Sequence, residues 1–215
     1  MKPNTLSYIM PTYGDRGIEF KEGKGSYLTS IDNKKYLDFG AGIAVNSLGH
    51  CHPVLVDKLK KQASKLWHTS NLYYNSEQEE YAKILCQNTF AEKVFFTNSG
   101  AEAIEAGIKV IRSFHSHNKN THKKNILTFE GAFHGRTFAA LSAQMNQKYS
   151  KDFEPLLEGF INIPFNDFDK VKQFSDENTA AIMLEPIQGE GGIIPANLRF
   201  LEKVRKFCDE NKILF

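Results

Sequence analysis

Four short apolar runs, each leading through a polar loop into a helical pattern, constrain this chain more than any other feature. Val94-Phe95-Phe96 leads to a helix over residues 101–114, and Asn125–Phe129 to a helical stretch near 137–145. Phe160–Ile163 leads to a short helix from about Asp167, and residues 180–185 to a helix over 197–211. Ile213-Leu214-Phe215 opens another apolar run. A helix between successive strands lets each strand run parallel to the last, and the helices then cover both faces. The pattern therefore predicts an α/β fold with a mostly parallel sheet. A buried strand that opens at Ile213 needs continuation for its backbone partners, so the sequence reads as truncated. A short natural terminal strand is the alternative.

Upstream the rhythm differs. Apolar runs at 27–31 and 35–39 flank Asp32-Asn33, which predicts a β-hairpin. Glycine-rich residues 40–45 and Gly49-His50-Cys51-His52-Pro53 follow. Pro53 suits a first helical turn, with Val54, Leu55, Leu59 and Leu66 as a stripe toward Trp67. A second helix is signalled by Ser76 as N-cap with Glu79 three residues on, and Tyr81, Ile84 and Leu85 as its buried face.

Composition excludes several functions. Twenty-seven basic against 25 acidic side chains leave no basic field for nucleic acid. No apolar run approaches the roughly 20 residues that a membrane helix needs. Residues 1–10 lack the charged-then-apolar pattern of an export signal. Cys51, Cys86 and Cys208 are scattered, with no C-x-x-C, and read as reduced thiols. The expectation is a cytosolic protein.

Chemistry is expected where strands end. Phe96-Thr97-Asn98-Ser99-Gly100-Ala101 runs a strand straight into a helix, whose first N–H groups lack internal partners and carry the positive end of the macrodipole. With the Ser99 hydroxyl and the bare Gly100 backbone, this is either an anion cup or an ordinary capped turn. Glu130-Gly131-Ala132-Phe133-His134-Gly135-Arg136-Thr137 follows the next strand. Phe133 can stack on a planar ring and Arg136 can grip a carboxylate with two hydrogen bonds. Alternatively, Phe133 is core and Arg136 a surface ion-pair partner. Glu185-Pro186-Ile187-Gln188-Gly189-Glu190-Gly191-Gly192 follows a further strand, as a working site or a flexible surface loop. Loops after parallel strands gather on one sheet edge, so the three segments strengthen one another.

These residues resemble the fold-type I, class III aminotransferases, which depend on pyridoxal 5'-phosphate (PLP). The likeness continues through Gly25-Ser26-Tyr27-Leu28, Tyr36-Leu37-Asp38-Phe39, Gly42-Ile43-Ala44-Val45 and Leu48-Gly49-His50-Cys51-His52-Pro53. His68-Thr69-Ser70-Asn71-Leu72-Tyr73-Tyr74 resembles the acetylornithine/ornithine branch. The resemblance implies that Ser99, Gly100 and Ala101 bind the cofactor phosphate and that Phe133 stacks on its ring. It implies that Arg136 holds the substrate α-carboxylate, that Glu185 braces the site and that Glu190 acts as a gate. It implies residues 1–50 in a small domain and 51–215 in an incomplete large, PLP-binding domain. The implied reaction passes an amino group between N-acetylornithine and 2-oxoglutarate, in arginine biosynthesis, in a homodimer. Ornithine, 4-aminobutyrate or succinylornithine are alternative donors, and a non-catalytic binding module is the rival reading. The family's cofactor-bearing lysine and its pyridine-nitrogen aspartate match no position here. Lys93, Lys109, Lys123 and Lys124 lie in other contexts, so the 215-residue chain alone is expected to be inactive.

Other patterns are weaker. His50-x-His52 reads as a helix-entry loop, and His115, His117 and His122 as part of a Lys-rich surface loop, so no metal is expected. Ile104 departs from the asparagine usual in the class after the Ala-Glu-Ala run.

Overall fold

The structure is a computed structural model that describes residues 8–14 and 17–215. The export-signal reading falls partly on residues 1–7, which lie outside the described residues. Two compact units divide between Glu80 and Tyr81.

In the first unit, β1 (Phe20–Lys24) pairs antiparallel with β2 (Tyr27–Ser30), and β2 with β3 (Lys35–Leu37). The hairpin predicted around Asp32-Asn33 is the β2–β3 turn. Asn33 adopts φ 64°, a left-handed conformation that asparagine tolerates, and the Ser30 hydroxyl donates to the Lys34 carbonyl. A backbone bridge ties Gly25 to His50, and the His50 ring meets the Asp38 carboxylate at 2.7 Å. That hydrogen bond, helped by the Ala41 and Gly40 N–H groups, holds Asp38 below the usual carboxylate range. Pro53 opens helix α1 (Pro53–Ala63) as its first residue. Its apolar stripe stays bare: Val54, Leu55 and Leu59 are each more than half exposed.

Helix α2 (Ser76–Asn88) starts as predicted, but its cap is Asn75, whose side-chain oxygen accepts from Gln78 N–H at 3.0 Å. Ser76 is already helical, and its hydroxyl turns to Glu77.

In the second unit three parallel strands form one sheet, in the order β5 (Phe160–Ile163), β4 (Asn125–Phe129), β6 (Thr179–Ile182). Leu214 adds a parallel bridge beside Ala181, where the sequence predicted a further strand. Helices cover both faces because successive side chains on β4 point opposite ways. Ile126 packs with Ile108 of α3 (Gly100–His117) and Ala139 of α4 (Phe138–Gln144). Leu127 and Phe129 pack with Val171 of α5 (Phe168–Phe174) and with Phe200, Val204 and Cys208 of α6 (Leu198–Asn211). Each such large side chain, fully buried, contributes about 1.5–3 kcal/mol. Burial also pushes the Cys208 thiol up to about 11.

The predicted starts at Asp167 and Asn197 are N-caps, each accepting backbone N–H groups from the first turn. Helices α4 and α6 end on left-handed residues, Met145 at φ 44° and Lys212 at φ 53°.

Two expectations are corrected. Residues 94–96 form no strand, because no described residue pairs with their backbone. Apolar content without a neighbouring ladder is not a strand. Tyr81 of α2 stacks on Phe96 there, at 5.9 Å between ring centroids. His115 and His117 lie on α3 and not in a surface loop. His115 is buried, with Nε2 2.9 Å from the Ala180 carbonyl, because that face of α3 packs on β6. At the amino edge of the sheet, Lys123 Nζ donates to the carbonyls of Thr179, at 3.1 Å, and Asn211, at 3.4 Å.

Candidate functional site

The three polar loops meet at the carboxyl edge of the sheet. Ser99, in extended backbone, caps α3 with its hydroxyl, which accepts from Glu102 N–H at 3.2 Å. Glu102 returns the bond by accepting from Asn98 N–H. The ordinary capped turn is thus realised, yet the N–H groups of Gly100 and Ala101 still have no helical carbonyl to meet. A Cβ added at Gly100 would find nothing within 4 Å, so an anion can reach this backbone.

The loop after β4 is pressed onto this same helix end. Gly135 has φ 131°, and an added Cβ would lie 3.3 Å from the Ala101 Cβ and 3.2 Å from that of Ala140. Only glycine lets the chain pass there. Ser99, Gly100, Ala101, Phe133 and Arg136 are therefore held together, as one sheet edge requires.

The loop after β6 is fastened to the loop after β4 twice. Glu185 Oε1 accepts from Phe133 N–H at 2.7 Å. Gln188 Nε2 donates to the Glu130 carbonyl at 2.9 Å. Gln188 opens out of a short hairpin, β7 (Ile187–Gln188) with β8 (Ile194–Pro195), whose turn carries Glu190. Glu190 is exposed, and no lysine or arginine among the described residues forms an ion pair with it.

Phe133 is half-buried and Arg136 exposed. The guanidinium lies 5.4 Å from the centroid of the Phe133 ring and 4.1 Å from that of Tyr149. No carboxylate among the described residues pairs with it. The surface ion-pair alternative for Arg136 is therefore not what the fold builds. Both rings lie close to the cation, and its forked donors are left to another ligand.

His134, between them, is buried, and burial drives its pKa down to about 4, so the ring is neutral near pH 7. Its backbone N–H donates to the buried Gln144 side chain at 3.0 Å, while its Nε2 has no partner among the described residues.

Sequence reasoning missed Tyr149, Gln144 and the tie made by Gln188. Tyr149 and Gln144 lie beyond the loop motif they serve, and Gln188, within the 185–192 segment, acts on a residue in another loop.

The Aminotransferase class-III family profile matches residues 9–215. Acetylornithine aminotransferase of Agrobacterium fabrum is 50% identical over 206 residues, 96% of this chain and 52% of that protein. That of Caldanaerobacter subterraneus is 50% identical over 208 residues, 97% of this chain and 53% of that protein. The crystal structure of N-acetylornithine aminotransferase from Stenotrophomonas maltophilia superposes with a TM-score of 0.77 at 38% identity, covering 93% of this chain and 50% of that one. The ornithine aminotransferase structure from Toxoplasma gondii superposes with a TM-score of 0.89 at 28% identity, covering 96% and 50%. The chain spans about half the length of the curated relatives it matches.

Proposed function

Because this chain belongs to the class III aminotransferases, we propose that the protein carrying it moves an amino group between N-acetylornithine and 2-oxoglutarate. Enzymes of this class are fold-type I proteins that work with PLP. The residues present fit that cofactor: an uncovered helix terminus for its phosphate, and a half-buried Phe133 whose backbone N–H is fixed by a carboxylate. When bound, PLP acts as an electron sink that makes the carbon alpha to the amine acidic.

In this reading the N–H groups of Gly100 and Ala101 and the hydroxyl of Ser99 take the phosphate. Phe133 lies against the pyridine ring, and Glu185 fixes the height of Phe133 through its backbone. Arg136 donates to the carboxylate at the far end of the substrate from the transferred amine, the α-carboxylate of N-acetylornithine and the γ-carboxylate of glutamate. Glu190 acts as the gate, pairing with a cation from the part of the relatives' length that this chain does not span. The proton-shuttling lysine and the pyridine-nitrogen aspartate belong to that same part. The further proposals are a small domain over residues 1–50, an incomplete large domain over 51–215, a homodimer, a cytosolic setting and a step in arginine biosynthesis. Among the described residues no helix is long and apolar enough to cross a membrane.

The observation that carries this reading is Arg136 beside Phe133 at the α3 terminus, with no carboxylate partner among the described residues. The likeness to an ornithine aminotransferase supports ornithine as the second donor to consider. The test is kcat/KM of the full-length, PLP-loaded protein with N-acetylornithine, ornithine, succinylornithine and 4-aminobutyrate, each against 2-oxoglutarate. N-acetylornithine should lead. Preference for ornithine overturns the donor, and no transfer from any donor overturns the reaction.

A further inference from the structure

Gln188 is 1% exposed, and an amide buried this deeply in a loop of glycines is costly unless it is used. Its nitrogen donates to the Glu130 carbonyl. Its oxygen lies where side chains are shut out: a Cβ added at Gly131 would be 2.9 Å from it, and one at Gly191 3.1 Å. A Cβ at Gly191 would also be 2.6 Å from the Gly131 carbonyl, so the two loops touch backbone to backbone around this one amide. Gln188 stands two residues before Glu190, and Glu130 three before Phe133 and six before Arg136. The amide is therefore at the foot of both arms of the site.

We propose that Gln188 is a positioning residue, a clasp that fixes the turn carrying Glu190 relative to the loop carrying Phe133 and Arg136, and so sets the length of amino donor the site accepts. The inference rests on the reading of Arg136 and Glu190 given above. A donor is gripped at its α-carboxylate by one arm and sensed along its side chain by the other, so the spacing between arms is a ruler. The Glu185–Phe133 bond fixes one side of that spacing. The Gln188–Glu130 bond fixes the other, because the remaining ties of the hairpin, its two ladder pairs, Ala196 N–H on the Pro186 carbonyl and Asn166 Nδ2 on the Pro195 carbonyl, do not reach the loop that carries Phe133 and Arg136.

The test uses the full-length protein with Gln188→Met, which keeps length and loses the donor, and Gln188→Glu. Amide hydrogen exchange, read without substrate, should rise in Gln188→Met by roughly tenfold or more in the 130–136 and 187–195 segments together. Exchange that rises in the hairpin alone overturns the clasp, and this arm stands even if no donor is turned over. Discrimination between N-acetylornithine and its analogue one methylene shorter should fall by roughly tenfold, the scale a single methylene commands. Equal losses of kcat/KM for both donors, with the ratio kept, mean a merely structural role and also overturn it. In Gln188→Glu the protonated carboxyl can donate to Glu130, whereas the ionised form faces a carbonyl. Discrimination should therefore approach wild type at low pH and fall as pH rises, with an ionisation that the wild type lacks. A pH-independent Gln188→Glu contradicts the proposal even if Gln188→Met fails to fold.

Discussion

The carboxylate of Glu185 and the backbone N–H of Phe133, 52 residues apart in sequence, meet at 2.7 Å and hold one strand-end loop against another. A hydrogen bond to a charged acceptor contributes about 1.5–3 kcal/mol, and a donor left unpaired costs on a similar scale. Glu185→Ala in the full-length protein should weaken PLP binding by about 10- to 150-fold, as each 1.4 kcal/mol is tenfold. Glu185→Gln keeps an acceptor oxygen and should lose less. PLP titration of the two variants checks this, and equal affinities would show that Glu185 acts by charge alone.

Arg136→Lys keeps the cation but loses the fork. Both half-reactions present a carboxylate at the end away from the transferred amine, so kcat/KM should fall for both by about 10- to 150-fold, because a hydrogen bond to a charged group contributes about 1.5–3 kcal/mol. Cofactor affinity should change little. A loss confined to one substrate would overturn this shared role of Arg136.

Tyr149 lies under the same guanidinium. Tyr149→Leu removes a cation–π contact of about 0.5–1 kcal/mol at an exposed site. Both half-reactions should slow by about two- to fivefold, and in the Arg136→Lys background the same change should matter less. Additive effects in that double-mutant cycle would rule out the coupling.

The neutral, buried His134 makes stability fall toward acid. Its folded pKa, about 4, lies below the ordinary 6.5, so at pH below 6.5 the unfolded chain takes up the proton first. The contribution is complete above about 6.5, is lost at up to about 1.4 kcal/mol per pH unit between 6.5 and 4, and levels off below 4. Urea unfolding at pH 7 and pH 4.5 should separate by about 2–3 kcal/mol more in the wild type than in His134→Leu. Identical pH profiles in the two proteins would locate the acid sensitivity elsewhere.

Met145 closes α4 with φ 44°, a conformation that strains any residue with a Cβ. Met145→Gly should stabilise the protein by about 1 kcal/mol, seen as a higher urea midpoint; an unchanged or lower midpoint would show that no strain is relieved there.

The parallel sheet was legible because strands buried on both faces are continuously apolar, as Ile126, Leu127 and Phe129 are. Asp167 and Asn197 were legible as caps because each side chain serves its own next turn. The cap of α2 falls on Asn75 and not on Ser76, because two cap-forming residues adjoin and only φ/ψ chooses between them. Residues 94–96 show the limit of apolarity as a signal, since pairing needs a neighbour that local sequence does not name. The loops at the site were legible one at a time. Their fastening was not, because Gln188 reaches Glu130 and Gly135 reaches Ala101 across folds of the chain that no spacing records.

Lys123 gives the sheet an orientation of a different kind. Its single ammonium ties the start of β6 to the end of α6, at the rim opposite the three loops. The strands are thus moored at one rim and left to serve ligands at the other. Damage at the moored rim should be read in a melting curve and damage at the other in a rate constant, so a survey of substitutions sorted by rim would divide the molecule's endurance from its trade.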